Sequence, residues 1–246
     1  MAEERSGADE PPAPRRIDQT KMRLAVGRQM TLSKQTVPHF YVSTEIVMDD
    51  VLELTRRLSS RPGMPRISVT AVLVRALTET LREKPTFNAT LTPEGWVVGE
   101  TVNVGIAIAL DGGLVAPAVL GCQDLDLAGT AVALDDLVTR TRAGKLRVPE
   151  MGSATFTLSN LGMYDVSSFA AIVIPPQAAI LATGRAIPRP VVVDGTIQVR
   201  SVMTATLSAD HRVVDGAEAA VFLGAFKSRL EQLARETGTP DPAVIP

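Results

Sequence analysis

Between Ser201 and Glu236 the spacing of apolar residues changes period once, and that single change limits what the chain can build. In SVMTATLSAD (201–210), Met203, Ala205 and Leu207 alternate with Thr204, Thr206 and Ser208, which is the two-residue period of a strand with two distinct faces. From Asp215 onward, DGAEAAVFLGAFKSRLEQLARE sets Ala219, Phe222, Leu223, Phe226, Leu230 and Leu233 at steps of three and four, the stripe of an amphipathic helix. A strand that hands over to a long one-sided helix needs a layer of helices laid on a sheet. The handover occupies Ser208–Gly216, SADHRVVDG, and it holds His211, one of only 2 histidines in the chain.

The remaining segments fit that layer. KMRLAVGRQMTLSK suits a helix, FYVSTEIVM after Pro38 suits a strand, and Asp49-Asp50 open a helix with Val51, Leu54 and Leu58 on one face. Ser68 to Glu83 predicts a further helix along Val69, Val72, Ala76 and Leu77. VNVGIAIAL and GLVAPAV flank Asp111-Gly112-Gly113 and predict two strands joined by a tight turn. Residues 126–143 return to helical spacing, TFTLSNLG (155–162) predicts an alternating strand stopped by a glycine, and AAILATG a further strand. Strands mixed with long helices, without strict alternation, predict a single α+β domain in which helices cover one side of a mixed β-sheet. The expected boundaries are a disordered lead or linker remnant at 1–17, a domain at 18–240 and a tail at 241–246.

Composition removes several function classes. With 25 Lys and Arg against 27 Asp and Glu, the net charge of −2 leaves no nucleic-acid footprint and no cationic membrane surface. The longest apolar runs are too short to span a bilayer, and the acidic N-terminus is unlike a secretory signal or a transit peptide. One cysteine, Cys122, cannot form an internal disulfide, so the expected compartment is the cytoplasm, or the mitochondrial matrix for an excised eukaryotic domain.

Three readings compete for SADHRVVDG. Asp215 with Glu218 spells a capping box at the helix start, and Gly216 permits a tight turn into it. Asp210, His211 and Asp215 are permissible metal ligands, but zinc sites want three or four ligands, and His39, His211 and Cys122 are the whole His and Cys supply, so no metal is expected. The third reading makes His211 a general base at a strand-to-helix junction. An imidazole of ordinary pKa taking a proton from a thiol works uphill by only about 2 units, roughly 3 kcal/mol.

SADHRVVDGAEAAVFL resembles the His-x-x-x-Asp-Gly signature, within Asp-His-Arg, of the catalytic domain of the dihydrolipoamide acyltransferases of 2-oxo acid dehydrogenase complexes. KPTFNATL (84–91), VNVGIAIALDGGLVAPAV (102–119), TFTLSNLGMY (155–164) and PPQAAILATG (175–184) follow in the order that family shows them. The resemblance implies a two-layer sandwich like that of chloramphenicol acetyltransferase, and acyl transfer between coenzyme A and the dihydrolipoyl thiol of a carrier domain. It implies that His211 is the base and Ser159 the hydroxyl that donates to the oxyanion. Asp215 would order the histidine turn by pairing with Arg23 or Arg28, and Gly216 would complete that turn. It also implies a homotrimer, extending in some members to a larger shell, with His211 and Ser159 contributed by neighbouring subunits.

Some positions depart from the family's pattern. Ile174 stands where asparagine is common before the Pro pair; with His39, it is a candidate wall of the substrate channel. Ala116 and Ala118 stand where valines are common, and Asp165 where glycine is usual. Acetyl or branched-chain acyl groups are expected ahead of succinyl. No lipoyl or subunit-binding domain is expected in this chain, which leaves an excised domain with PPAPRR as a linker stub, or a free-standing acyltransferase serving a separate carrier. The alternatives are an acyltransferase for another small acceptor and a non-catalytic trimeric core.

Overall fold

Residues 18–236 are described in the structure, a computed structural model; the expected lead at 1–17, the last residues assigned to the domain at 237–240 and the tail at 241–246 lie outside the described residues. Local chemistry starts most of the helices. Thr20 accepts the Arg23 N–H at 3.2 Å to open α1 (Lys21–Thr36), and the extended Val37 leads into β1 (His39–Val47). In α2 (Asp49–Ser59), Asp49 and Asp50 sit in the first turn and Arg56 and Arg57 in the last, the arrangement a helix dipole favours. Ser68 caps α3 (Val69–Glu83), whose buried side chains run through Val72, Ala76 and Leu77 as the spacing requires. Then come β2 (Ala89–Thr92), β3 (Gly95–Val98), β4 (Val104–Ile106), β5 (Ile108–Leu110), β6 (Gly113–Val115) and β7 (Ala118–Val119). Asp126 caps α4 (Leu127–Arg142) through the Gly129 N–H at 2.6 Å, followed by β8 (Phe156–Asn160), β9 (Ala179–Thr183), β10 (Ile187–Val193), β11 (Thr196–Asp210) and α5 (Gly216–Glu236).

One seven-stranded sheet runs β1-β11-β9-β8-β4-β7, with β10 paired to the early part of β11. Its pairs β4–β8 and β8–β9 are parallel and the others antiparallel, so the expected mixed sheet is present. One face carries Met203, Ala205, Leu207, Leu181, Phe156, Leu158 and Val104, packed with Leu73, Leu77, Phe222 and Phe226 of the helices. Phe222 meets Phe87 and Phe156 with ring centroids 4.4 and 5.9 Å away. This is the main core, and the stripe on α5 closes it.

The opposite face differs in character. Strand pairing sets Ser43, Thr206, Ala182 and Ser159 in one row across β1, β11, β9 and β8, so this face is polar or small. It is nevertheless covered: Val173 of the irregular strap 161–178 packs against Ile180, and Thr206 and Ser208 are buried. β8 is buried on both faces from Phe156 to Ser159 and ends at Asn160, two residues before the glycine expected to stop it. VNVGIAIAL and GLVAPAV each divide into two short strands. The Ile106 N–H reaches the Pro117 carbonyl at 2.8 Å while the next N–H, of Ala107, turns to Leu158 at 3.1 Å, and Pro117 has no N–H to keep the outer ladder going. Only β5 and β6 form the hairpin around Asp111-Gly112.

Two hairpins were not anticipated. β2 and β3 form one, and β10 with the start of β11 forms the other, turning at Asp194 and Gly195 with φ of 48° and 76°. The stretch VVVDGTIQV carries the signal: β-branched residues on both sides of Asp-Gly, the pair that accepts two positive φ angles.

Candidate active site

β11 ends at Asp210, and the next three residues form the turn that presents His211. The His211 N–H donates to the Pro38 carbonyl at 3.1 Å, and the exposed imidazole leans on Phe40 with centroids 4.8 Å apart. The turn is braced by a carboxylate with no solvent exposure: Asp210 accepts from Arg212 Nη2 at 2.6 Å, Nε at 3.0 Å and the backbone N–H at 2.9 Å. This pairing raises the Arg212 pKa, and the guanidinium lies 5.9 Å from the Trp96 ring. On the far side of the turn, Asp215 Oδ1 accepts the Glu218 N–H at 2.9 Å and Glu218 Oε2 accepts the Asp215 N–H at 2.8 Å. The capping box foreseen at Asp215 is thus formed, and Gly216 is the first residue of α5.

Within one chain neither Arg23 nor Arg28 pairs with Asp215. α1 begins elsewhere, with Thr20 donating to the Gly112 carbonyl at 3.4 Å and Met22 against Gly113.

Ser159 lies at the bottom of a cavity of about 500 Å³. Its walls come from α1 (Val26, Gln29, Met30), the β5–β6 hairpin with Pro117, the α4–β8 connection (Leu146, Met151) and the strap (Ile172, Ile174). Gln29 and Ser159 are its polar side chains, and no charged residue lines it. Ile174, a candidate channel wall, does line it.

His39 has a different position. Its Nδ1–H donates to the Val37 carbonyl at 2.8 Å and its Nε2 accepts the Val173 N–H at 3.0 Å, which fixes the tautomer and ties the strap to the start of β1. His39 therefore shapes the cavity through Val173, next to Ile174, and is not itself among the lining residues. Ser33 adds a second tie, donating to the Val173 carbonyl at 2.6 Å. The sequence marked His39 but held no sign of Ser33, because the tie joins residues 140 apart in the chain.

Ser159 and His211 do not meet in one chain. Ser159 is level with Thr206 two strands away, a lateral step of about 10 Å, and from Thr206 to Asp210 the strand advances about 13 Å more. A base and an oxyanion donor must both come within about 3 Å of the reacting group. Within one chain the two side chains cannot both reach one reacting group. Among the described residues no three His, Cys, Asp or Glu side chains gather as a metal site, and no helix is long and apolar enough to cross a membrane.

Known proteins share this architecture. The acetyltransferase component of the pyruvate dehydrogenase complex of Zymomonas mobilis is 34% identical over 218 residues, 88% of this chain and 50% of that protein. The chain spans about half the length of the curated relatives it matches. The solved cubic core of the pyruvate dehydrogenase multienzyme complex superposes with a TM-score of 0.85 at 26% identity, over 94% of this chain and 100% of that one. Chloramphenicol acetyltransferase, 14% identical over 82% of this chain and 94% of its own, shares the fold with a TM-score of 0.57. The family described as 2-oxoacid dehydrogenases acyltransferase (catalytic domain) matches residues 11–236, and the chain belongs to it.

Proposed function

We propose that the protein transfers an acetyl group between coenzyme A and the dihydrolipoyl thiol of a carrier domain, at sites shared between two copies of the chain. His211 of one copy takes the proton from the attacking S–H, and the thiolate adds to the thioester carbonyl carbon. Ser159 of the neighbouring copy donates its O–H to the resulting oxyanion. Collapse of the tetrahedral intermediate breaks the original C–S bond, and the departing thiolate recovers its proton from His211. Loss of one oxyanion donor costs about 3–4 kcal/mol of barrier, so removal of Ser159 slows the reaction without abolishing it.

The observation that carries this reading is the division of the machinery. An exposed imidazole stands on a doubly braced turn, and a hydroxyl waits in a carbon-lined cavity, too far away to serve it within the same chain. Closed rotational assembly brings such unlike surfaces together, and a homotrimer is the arrangement proposed. The acetyl group is favoured because the relatives are acetyltransferases and the cavity offers no cation to a succinyl carboxylate. The relatives lend no support to a branched-chain preference.

The test supplies acetyl-, isobutyryl- and succinyl-coenzyme A with dihydrolipoamide and follows thioester formation. Acetyl transfer that disappears in His211→Ala is expected; absence of transfer from every donor, or full activity in His211→Ala, refutes the reading. Mixed assemblies of inactive His211→Ala and slow Ser159→Ala chains test the sharing. Random pairing leaves about one site in four with both intact groups, so the mixture should show activity well above that of either parent.

A further inference from the structure

The connection from α4 to β8 carries an ion pair more buried than its place on a surface loop requires. Glu150, in the 3-10 turn Val148–Met151, is only 4% exposed. Arg140 Nη1 and Nη2 grip its two carboxylate oxygens at 2.6 and 2.7 Å, and the Arg147 N–H donates to it at 2.8 Å. Arg140 is itself held by Asp136 through Nε at 2.9 Å. The connection is thus locked to the last turns of α4, and the lock has two immediate neighbours. Leu146 precedes Arg147 and Met151 follows Glu150, and both line the cavity above Ser159. Met151 itself is 61% exposed, and after it the stretch is next tied where Asn103 Nδ2 donates to the Ser153 carbonyl at 2.9 Å.

We infer that Glu150 is a positioning residue for substrate: by clamping residues 146–151 onto Arg140 it sets Leu146 and Met151 as the wall against which an uncharged aliphatic thiol chain lies on its way to Ser159. This rests on the reading of Ser159 given above. The lining selects between the two thiols of that reaction. A pantetheine arm carries two amides and a hydroxyl that need partners, whereas the cavity presents Gln29 and Ser159 as its only polar side chains. The lipoyl chain is a run of methylenes ending in the dithiol, and carbon walls suit it. Glu150 accordingly governs affinity for the dihydrolipoyl side and leaves coenzyme A untouched.

Glu150→Gln keeps the volume and removes the charge that gathers three donors. The expected result is a rise of about tenfold in KM for dihydrolipoamide, with kcat and the KM for acetyl-coenzyme A each within about twofold of the parent. A purely structural clamp would lower the melting temperature and the active fraction alone, and leave both KM values unchanged. Met151→Ala, which leaves the clamp intact, should raise the same KM and no other. Calorimetric titration of each variant with oxidised lipoamide and with coenzyme A reads the same split without turnover, so a protein inactive in every assay would refute the acyltransferase reading and still test the clamp. Unchanged lipoamide binding in both variants, or an equal loss for coenzyme A, overturns the inference.

Discussion

Replacing Arg212 by methionine tests whether the histidine turn depends on a buried charge pair. The substitution keeps an unbranched chain over Trp96 and removes the donors Nε and Nη2 from Asp210, leaving the carboxylate with the backbone N–H of residue 212. Breaking a buried pair costs about 3–5 kcal/mol; the surviving N–H and the 42% exposure of the Arg212 side chain place this case near the lower end, about 3 kcal/mol. For a domain of this size that is a fall of about 6–12 °C in Tm. Since His211 lies between the paired residues, its imidazole should shift as well, and kcat/KM should drop by about 10- to 100-fold. Differential scanning calorimetry and the transfer assay are run on Arg212→Met and on the double variant Asp210→Leu, Arg212→Met. Removing both members of a pair is often nearly neutral, so the double variant should recover most of the lost Tm while activity stays low. A fall below about 2 °C in the single variant, or an equal fall in both, would refute the reasoning.

Two further outcomes follow from close packing and from charge. Gly184→Ala should lower Tm by more than the double variant does, because a Cβ there overlaps the carbonyl oxygen of Ser167 and the strap must lift; an unchanged Tm would show that the strap is not seated on β9. The Glu150 carboxyl is held below its ordinary pKa chiefly by the Arg140 hydrogen bonds. A carboxylate with a lowered folded pKa contributes stability in full above its unfolded value of about 4.3 and loses it as pH falls through the lower folded value. The Tm gap between the parent and Glu150→Gln should therefore be widest near pH 7 and close below about pH 4, and a gap independent of pH would contradict the assignment.

How much of this was legible in the sequence depends on the range of the interaction involved. The α5 stripe and the Asp215 to Glu218 cap were readable because each is completed within a few residues, and the caps at Ser68 and Asp126 are of the same local kind. The mixed sheet followed from the order of elements. The burial of the polar face of β11 was not legible, because Thr206 and Ser208 alternating with apolar residues gives the strand two faces without saying what covers the second, and Ser208 keeps a hydroxyl with no partner. The Glu150 clamp was invisible because its chemistry is a meeting of Arg140, Arg147 and Glu150 around a loop whose course the spacing does not encode.

The same distinction bears on the site. Motif resemblance implied that His211 and Ser159 come from neighbouring subunits, and within one chain strand register separates them by two strands and the length of a strand end. What the fold supplies to each residue is a support built from its own chain: for His211, a capped helix on one side and a buried carboxylate on the other; for Ser159, a cavity whose walls are tied by His39, Ser33 and Glu150. On the proposed sharing of the site, assembly joins two halves that each chain already braces, so a substitution that weakens the contact between copies should lower activity at dilution while leaving the Tm-determining core of each chain intact.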